Sequence, residues 1–322
     1  MVQKSYIIRR YSRYNKMLNW IYWLLKESEG VTAFDKLVLF FVKFIYLSLR
    51  IVLRIFLGKQ RRDSLYIKRE LDFGDFWNKF FKYLRRNNGK LLKFKMSKYG
   101  FEFYCRNNKD DFKVMTIHED DIIERFLPKD GDIVVDIGAH IGLYTIISSK
   151  RVGFNGKVIA IEAHPENFEI LNRNIHLNQL TNVIALNYAV YSEEEERLKL
   201  YLPSGESGFT KYNTIMPKFA KRDEKFVEVT ANTLDNLLQS NGIRAVNWIK
   251  IDVEGAEFEV LKGAHNVLSE SKDIALLIEL HGSPYEYRPK IEEFIKLYNL
   301  RIEFERSYQE NGSMHIIVTK KK

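Results

Sequence analysis

The stretch DIVVDIGAHIGLYT, Asp132 to Thr145, decides the fold. A run of β-branched apolar residues ends on Asp136, and Gly138, Ala139 and Gly142 follow at once. The pattern predicts a buried strand, a tight turn and a helix N-terminus, the arrangement that brings backbone close to a nucleotide. Outward from it, KVIAIEA, NVIALNYAV, AVNWIKIDV and DIALLIELHG read as four further strands, separated by helical stretches such as Pro165 to Asn178. RIEFER and MHIIVT then read as a closing hairpin joined through Asn311-Gly312. Such alternation predicts a parallel sheet flanked by helices, with ligands at the carboxyl ends of the strands.

Composition bounds the rest. With 45% hydrophobic and 14% aromatic residues in 322, a substantial core is expected and a disordered chain is excluded. The single cysteine, Cys105, excludes an intramolecular disulfide and a cysteine zinc cluster, and reads as a small buried hydrophobe in a strand. The net charge of +9 is unevenly spread: residues 1–100 carry 23 Lys+Arg against 7 Asp+Glu, leaving 28 against 35 for the remainder. A basic, aromatic-rich front therefore precedes a mildly acidic body, which points the front toward an anionic partner.

The front is most apolar from Leu37 to Leu57, interrupted by Lys43, Ser48, Arg50 and Arg54. On a helical wheel Lys36, Lys43, Arg50 and Arg54 fall within a stripe of roughly 40°. A span of that length would cross a bilayer, but each of its three cations costs up to about 2.5–3.5 kcal/mol at the centre. An interfacial helix, with its cations on lipid phosphates, costs less. Trp20 and Trp23 in the preceding apolar segment suit the headgroup boundary. Residues 17–57 are thus expected at a membrane surface, with helices packed on the body or a true span as alternatives. No secretory leader is readable, and a cytoplasmic protein, peripheral or monotopic on the inner face of the membrane, is expected. No nucleic-acid-binding signature is present, and no nucleic acid is expected as a partner. Residues 75–86 read as a packing helix, and LLKFKMSKYGFEFYCR as a β-hairpin around Tyr99-Gly100.

The glycine turn is not the G-x-G-x-x-G of a dinucleotide site, and Asp136 stands two residues before its first glycine. That carboxylate would repel a pyrophosphate but suits a ligand carrying an ammonium group and a ribose without phosphates. S-adenosyl-L-methionine meets this description. The next strand ends at Glu162, about where an acidic residue receives ribose hydroxyls, although a charge at the start of the following helix would also account for it.

With these motifs in place, the sequence resembles the FkbM family of S-adenosylmethionine-dependent methyltransferases over roughly Phe112 to Glu279. DIGAHIGLYT resembles the first family motif, with His140 where Asn is more usual, and IEAHPENFEILNRNIHLN the second, with Ala163 in place of a proline. NYAV, VTANTLDNLL, IKIDVEGAEFEVLKGA and LLIELHG resemble the later ones. The resemblance implies that Asp136, Gly138 and Gly142 frame the methionine end of the cofactor, with Glu162 on the ribose, Ala189 or its neighbours at the adenine and Asp252 at the floor of the site. Ala139, His140, Tyr144, Ala163 and Asn187 are further cofactor-binding candidates.

The expected fold is α/β, a Rossmann-like class I methyltransferase fold with a mostly parallel seven-stranded sheet and a C-terminal antiparallel hairpin, preceded by a helical, basic N-terminal region. The expected divisions are 1–70, the basic helices; 71–125, a helix and hairpin; and 126–322, the methyltransferase domain. Transfer to a hydroxyl requires a base, and Asp252 and His281 are the catalytic candidates, with Glu254, Glu257 and Glu279 nearby in sequence. Glu257 reads equally as a charge on the first turn of a helix. No metal-ligand spacing is readable and no metal is expected. The Gly/Ser/Thr-rich segment 202–219 reads as a lid or a plain surface loop. The acceptor expected is a hydroxyl on a glycan or lipid-linked sugar. The alternatives are a non-catalytic scaffold that keeps the cofactor fold, and a nicotinamide-dependent oxidoreductase, which the glycine spacing disfavours. The sequence leaves the oligomeric state open.

Overall fold

The computed structural model describes residues 28–29, 91–96, 99–106, 111, 120–202, 214–216, 225–308 and 313–321. The helices expected within residues 17–57 and 75–86, the turn at Asn311-Gly312 and most of the 202–219 segment lie outside these. The chain divides into two units, residues 1–116 and 117–322.

In the first unit, β1 (Ser28–Glu29), β2 (Leu92–Met96) and β3 (Phe101–Cys105) form an antiparallel sheet. The expected hairpin is β2–β3, with Met96 opposite Phe101. Alternation along β3 buries Phe101, Phe103 and Cys105 on one face. Burial pushes the Cys105 thiol well above its ordinary pKa, which fits a packing residue and not a nucleophile. Arg106 closes the strand end by donating from Nε and Nη2 to the buried Asp111 carboxylate at 3.0 and 2.9 Å.

The second unit begins with α1 (Asp120–Ile123), β4 (Ile133–Ile137), α2 (Leu143–Val152), β5 (Lys157–Ile161), α3 (Pro165–Leu177) and β6 (Val183–Leu186). There follow β7 (Ala189–Val190), β8 (Glu195–Leu202), β9 (Lys225–Asn232), α4 (Leu234–Ser240) and β10 (Trp248–Ile251). It ends with α5 (Glu257–Lys262), α6 (His265–Glu270), β11 (Ala275–Leu280), α7 (Pro284–Leu297), β12 (Leu300–Ser307) and β13 (Met314–Lys320). Seven strands form one sheet in the order β12-β13-β11-β10-β4-β5-β6. Its five inner and rightward strands are parallel, and β13 runs antiparallel to both β11 and β12. The expected mostly parallel sheet with its terminal antiparallel pair is therefore present.

One expected strand is divided. NVIALNYAV reads as continuous, but β6 stops at Leu186 and β7 pairs with β9 in a separate sheet of order β7-β9-β8. Asn187 accounts for the break, since its amide turns to donate to the carbonyls of Glu162 and Ala163 at 2.8 and 3.1 Å. Half of the residues in each of β8 and β9 are exposed, so their sequence lacks the continuous apolar run that marks the parallel strands.

The strand order places the site. From β4 the chain winds outward through β5 and β6, and from β10 it winds the other way through β11. The crevice between β4 and β10 is thus the switch point at which a doubly wound sheet receives its ligand. Burial on both faces explains the apolar runs: every residue of β11 and all but the first of β4 and β5 are buried. Phe126 packs edge-on against Tyr144 and Trp248, with ring centroids 5.5 and 4.9 Å away. It thereby ties the segment before β4 to α2 and β10. Because Phe126 is 0% exposed, Phe126→Ala is expected to cost about 3–5 kcal/mol in urea denaturation. A loss below about 1 kcal/mol would mean the pocket collapses freely.

Candidate active site

The turn after β4 is held by backbone. The amides of Gly138 and Ala139 both donate to the Ile161 carbonyl, at 2.9 and 3.0 Å, and Gly142 donates to Ala139 at 2.8 Å. Gly138 has φ 73°, and a Cβ there would lie 1.9 Å from the Asp252 carbonyl oxygen. Only glycine permits that approach of the β4 turn to the end of β10. His140 is also left-handed, with φ 51°. Asn and His tolerate this region better than most residues, which accounts for His140 standing where the family usually has Asn. What His140 contributes to the site is its backbone N–H, which donates to Glu162 Oε2 at 2.8 Å.

Asp136 lies on β4 directly opposite Lys250 of β10. Its carboxylate is buried, accepts from Thr145 Oγ1 at 2.6 Å, and lies 3.6 Å from Lys250 Nζ through Oδ1. Lys250 also donates to the Gly138 carbonyl at 3.0 Å, reaches Asp252 Oδ2 at 3.6 Å, and sits 5.3 Å from the centroid of the Tyr144 ring. One buried ammonium therefore joins the first strand, its glycine turn and the carboxylate of the neighbouring strand.

Glu162 follows β5. Oε1 accepts from the His164 amide and from Asn167 Nδ2 at 2.9 and 3.2 Å, while Oε2 takes the His140 amide. Burial raises its pKa, against the lowering effect of those donors and of the Lys250 charge. A carboxylate so short of water gains from hydroxyl donors at small further desolvation cost, as a ribose requires. The His164 ring caps α3 by accepting from the Glu166 amide at 3.2 Å, ahead of Pro165 at the first helical position. Ala163 packs against the small apolar cluster that contains Ala189, and Ala139 packs with Ala160, Leu171 and Ile175. Asn187 braces the Glu162–Ala163 turn through the two bonds described above. Sequence reasoning missed Lys250, Thr145, Asn167 and Asn174, the last of which holds the Ile141 carbonyl at 2.8 Å from a fully buried position.

The far side of the crevice is acidic. Asp252, Glu254, Glu257, Glu279 and His281 converge beyond the ends of β10 and β11. His281 Nδ1 lies 2.8 Å from Glu257 Oε1, and Nε2 lies 3.2 Å from Glu254 and 3.5 Å from Glu279. Burial would lower the imidazole pKa, but the Glu257 hydrogen bond and the charges of Glu254, Glu257 and Asp252 push it up to about 10. These neighbours therefore favour the protonated ring. At the start of α5 Glu257 accepts from the Gly255 amide at 2.8 Å, and it reaches across to His281.

A glycine turn at the β4–β10 switch point, facing a carboxylate held by amides at the end of β5, defines an S-adenosylmethionine-dependent methyltransferase of class I fold. The residues fit that cofactor: Gly138 leaves no room for a side chain, and buried Asp136 Oδ1, which makes no hydrogen bond among the described residues, suits an ammonium donor. The chain belongs to the methyltransferase FkbM domain family, whose sequence profile matches residues 136–308, more than half of it. It is similar to the hexuronic acid methyltransferase AglP of Haloferax volcanii, 27% identical over 58% of this chain and 73% of that protein. It is also similar to methyltransferase sdnD of Sordaria araneosa, 29% identical over 51% of this chain and 71% of that one. Among solved structures it matches a methyltransferase FkbM from Methylobacillus flagellatus with 16% identity and a TM-score of 0.39, over 65% of this chain and 53% of that chain. The cofactor is S-adenosylmethionine, and the nicotinamide alternative falls away.

Both Glu162 oxygens accept N–H groups, so an amide in its place must turn its own N–H₂ against one of them. Glu162→Gln is expected to weaken S-adenosylmethionine binding by at least about tenfold, equivalent to about 1.4 kcal/mol. Calorimetric affinity within twofold of the parent would remove Glu162 from the cofactor site.

Proposed function

We propose that the chain transfers a methyl group to a hydroxyl of a glycan or lipid-linked sugar, with Asp252 as the residue that meets the acceptor. The observation that carries this is the placement of Asp252. Its backbone carbonyl lies under Gly138, at the cofactor turn, while its side chain is 26% exposed and Lys250 beside it is buried. It is thus an ionisable group of the switch point that keeps access to solvent. Bound S-adenosylmethionine supplies a methyl group carried on a cationic sulfur. Asp252 orients the acceptor O–H and takes up its proton, a service worth about 10²- to 10⁴-fold. Lys250 holds that carboxylate in place through its 3.6 Å contact with Oδ2. The neighbours of His281 favour its protonated ring, so it steadies the surrounding carboxylates and does not serve as the base. A sugar as acceptor is supported by the similarity to AglP, a protein named for hexuronic acid.

The lipid link rests on the basic, apolar segment 17–57. Among the described residues no helix is long and apolar enough to cross a membrane. An interfacial position for the segment brings the enzyme to a lipid-borne acceptor on the cytoplasmic side of the membrane.

Asp252→Asn is expected to lower kcat by about 10²- to 10⁴-fold while calorimetric S-adenosylmethionine affinity stays within about threefold. Equal loss of both would make Asp252 a cofactor ligand only. The full chain is expected to float with anionic vesicles and a chain lacking residues 1–70 to remain at the bottom of the gradient. Equal flotation would remove the membrane from the proposal.

A further inference from the structure

Beyond β10 and β11 the chain assembles a donor set that linear spacing conceals. One ligand-type atom from each of Asp252, Glu279 and His281 lies within 4.8 Å of the other two. Asp252 comes from the end of β10, while Glu279 and His281 flank the end of β11, so two adjacent parallel strands deliver them to one point. Glu279 is 5% exposed, and His281 presents Nε2 toward it at 3.5 Å.

We propose that Asp252, Glu279 and Nε2 of His281 form a site for a divalent cation of the magnesium or manganese kind, with Glu257 orienting the histidine ring. Two carboxylates and one imidazole form an oxygen-rich set of the type such ions prefer. An octahedral ion with bonds of about 2.1 Å holds neighbouring donors about 3 Å apart, so the three groups, now within 4.8 Å of one another, would draw together around it.

The ring orientation is an independent mark. A histidine that binds a metal through one nitrogen usually donates the other N–H to a carboxylate, which fixes the ring. Here that carboxylate is Glu257, 1% exposed and 2.8 Å from Nδ1, and it leaves Nε2 facing Glu279 and Glu254. Charge argues the same way. Four carboxylates, the buried Glu257 and Glu279 and the part-exposed Glu254 and Asp252, gather around His281; Glu279 also meets His315 Nε2 at 3.4 Å, and Lys250 is shared between Asp252 and Asp136. Binding of the ion would displace the proton from Nε2 of His281 and leave the Nδ1–H on Glu257.

The proposal rests on the methyltransferase reading of the crevice and deepens it. Three protein ligands would leave further coordination positions for other oxygens. There the ion would hold acceptor oxygens, which suits a sugar presenting two neighbouring oxygens. Asp252 would then hold the ion through one carboxylate oxygen and take the acceptor proton on the other.

Manganese titration of the full chain, followed by electron paramagnetic resonance, tests the site, with S-adenosylmethionine calorimetry run on every protein as a check of the fold. The expected result is one saturable Mn²⁺ per chain, displaced by excess Mg²⁺. Binding should be lost in Asp252→Asn and in Glu279→Gln, and weakened by about 10- to 100-fold in Glu257→Gln. Asp252 is part-exposed, so its variant remains informative should Glu279→Gln fail to fold. A chain that binds S-adenosylmethionine without a saturable Mn²⁺ site, or whose Mn²⁺ affinity survives Asp252→Asn and Glu257→Gln unchanged, would overturn the ion site and leave the methyltransferase reading standing. A chain that binds Mn²⁺ in this variant-sensitive way but transfers no methyl group to any sugar would support the ion site and overturn the proposed acceptor.

Discussion

A single buried ammonium, Lys250, organises the crevice. Parallel register sets it opposite Asp136, so the strand that begins the cofactor turn and the strand that begins the acceptor side meet across one charge pair. An ammonium in this position has to be satisfied, and it is, by the Asp136 carboxylate, the Gly138 carbonyl and the Asp252 carboxylate together. A buried pair of this kind is weak support for stability as such, since taking both charges out of water is expensive. Its effect lies in geometry. Gly138 and Asp252 belong to different strands, and the lysine sets the distance between them.

The second constraint is the accounting of backbone donors. A chain that turns sharply at the end of a buried strand leaves amides facing the crevice, and each needs an acceptor. The Ile161 carbonyl takes two of them and Glu162 takes two more, those of His140 and His164. The first and second family motifs are therefore joined through one carboxylate and one carbonyl at the end of β5. This explains why residues of no evident chemistry, Asn167 and Asn187, belong to the site: each completes the bonding of the Glu162 turn.

The cofactor half of the crevice is legible in the sequence, and the acceptor half much less so. Gly138, Gly142 and Glu162 can be read because local backbone demands dictate them: a left-handed turn, a close approach and a strand end each restrict the residue type. Lys250 escapes notice because a lysine within an apolar strand reads as an outward-facing side chain, and only the pairing of β10 with β4 reveals Asp136 opposite it. The meeting of Asp252 with Glu279 and His281 is likewise a product of strand order, which linear spacing does not encode. The break between β6 and β7 is hidden for a further reason. Nothing in NVIALNYAV opposes a continuous strand until Asn187 finds the Glu162 and Ala163 carbonyls in space.

The two sides of the crevice treat their carboxylates differently, and the difference bears on function. On the cofactor side each is matched: Asp136 by Thr145 and Lys250, Glu162 by two backbone amides and Asn167. On the acceptor side Glu254, Glu257 and Glu279 share His281, Glu279 also meets His315 Nε2 at 3.4 Å, and Lys250 reaches Asp252. In a part-buried cleft that density of negative charge repels an anionic acceptor and attracts a cation. A methyl donor of positive charge meets a favourable field on entering from the glycine turn. A neutral hydroxyl is tolerated without electrostatic penalty. A uronate, by contrast, would approach only with a compensating cation, so on the proposed reading the charge of the acceptor and the occupancy of the Asp252–Glu279–His281 cluster would be coupled.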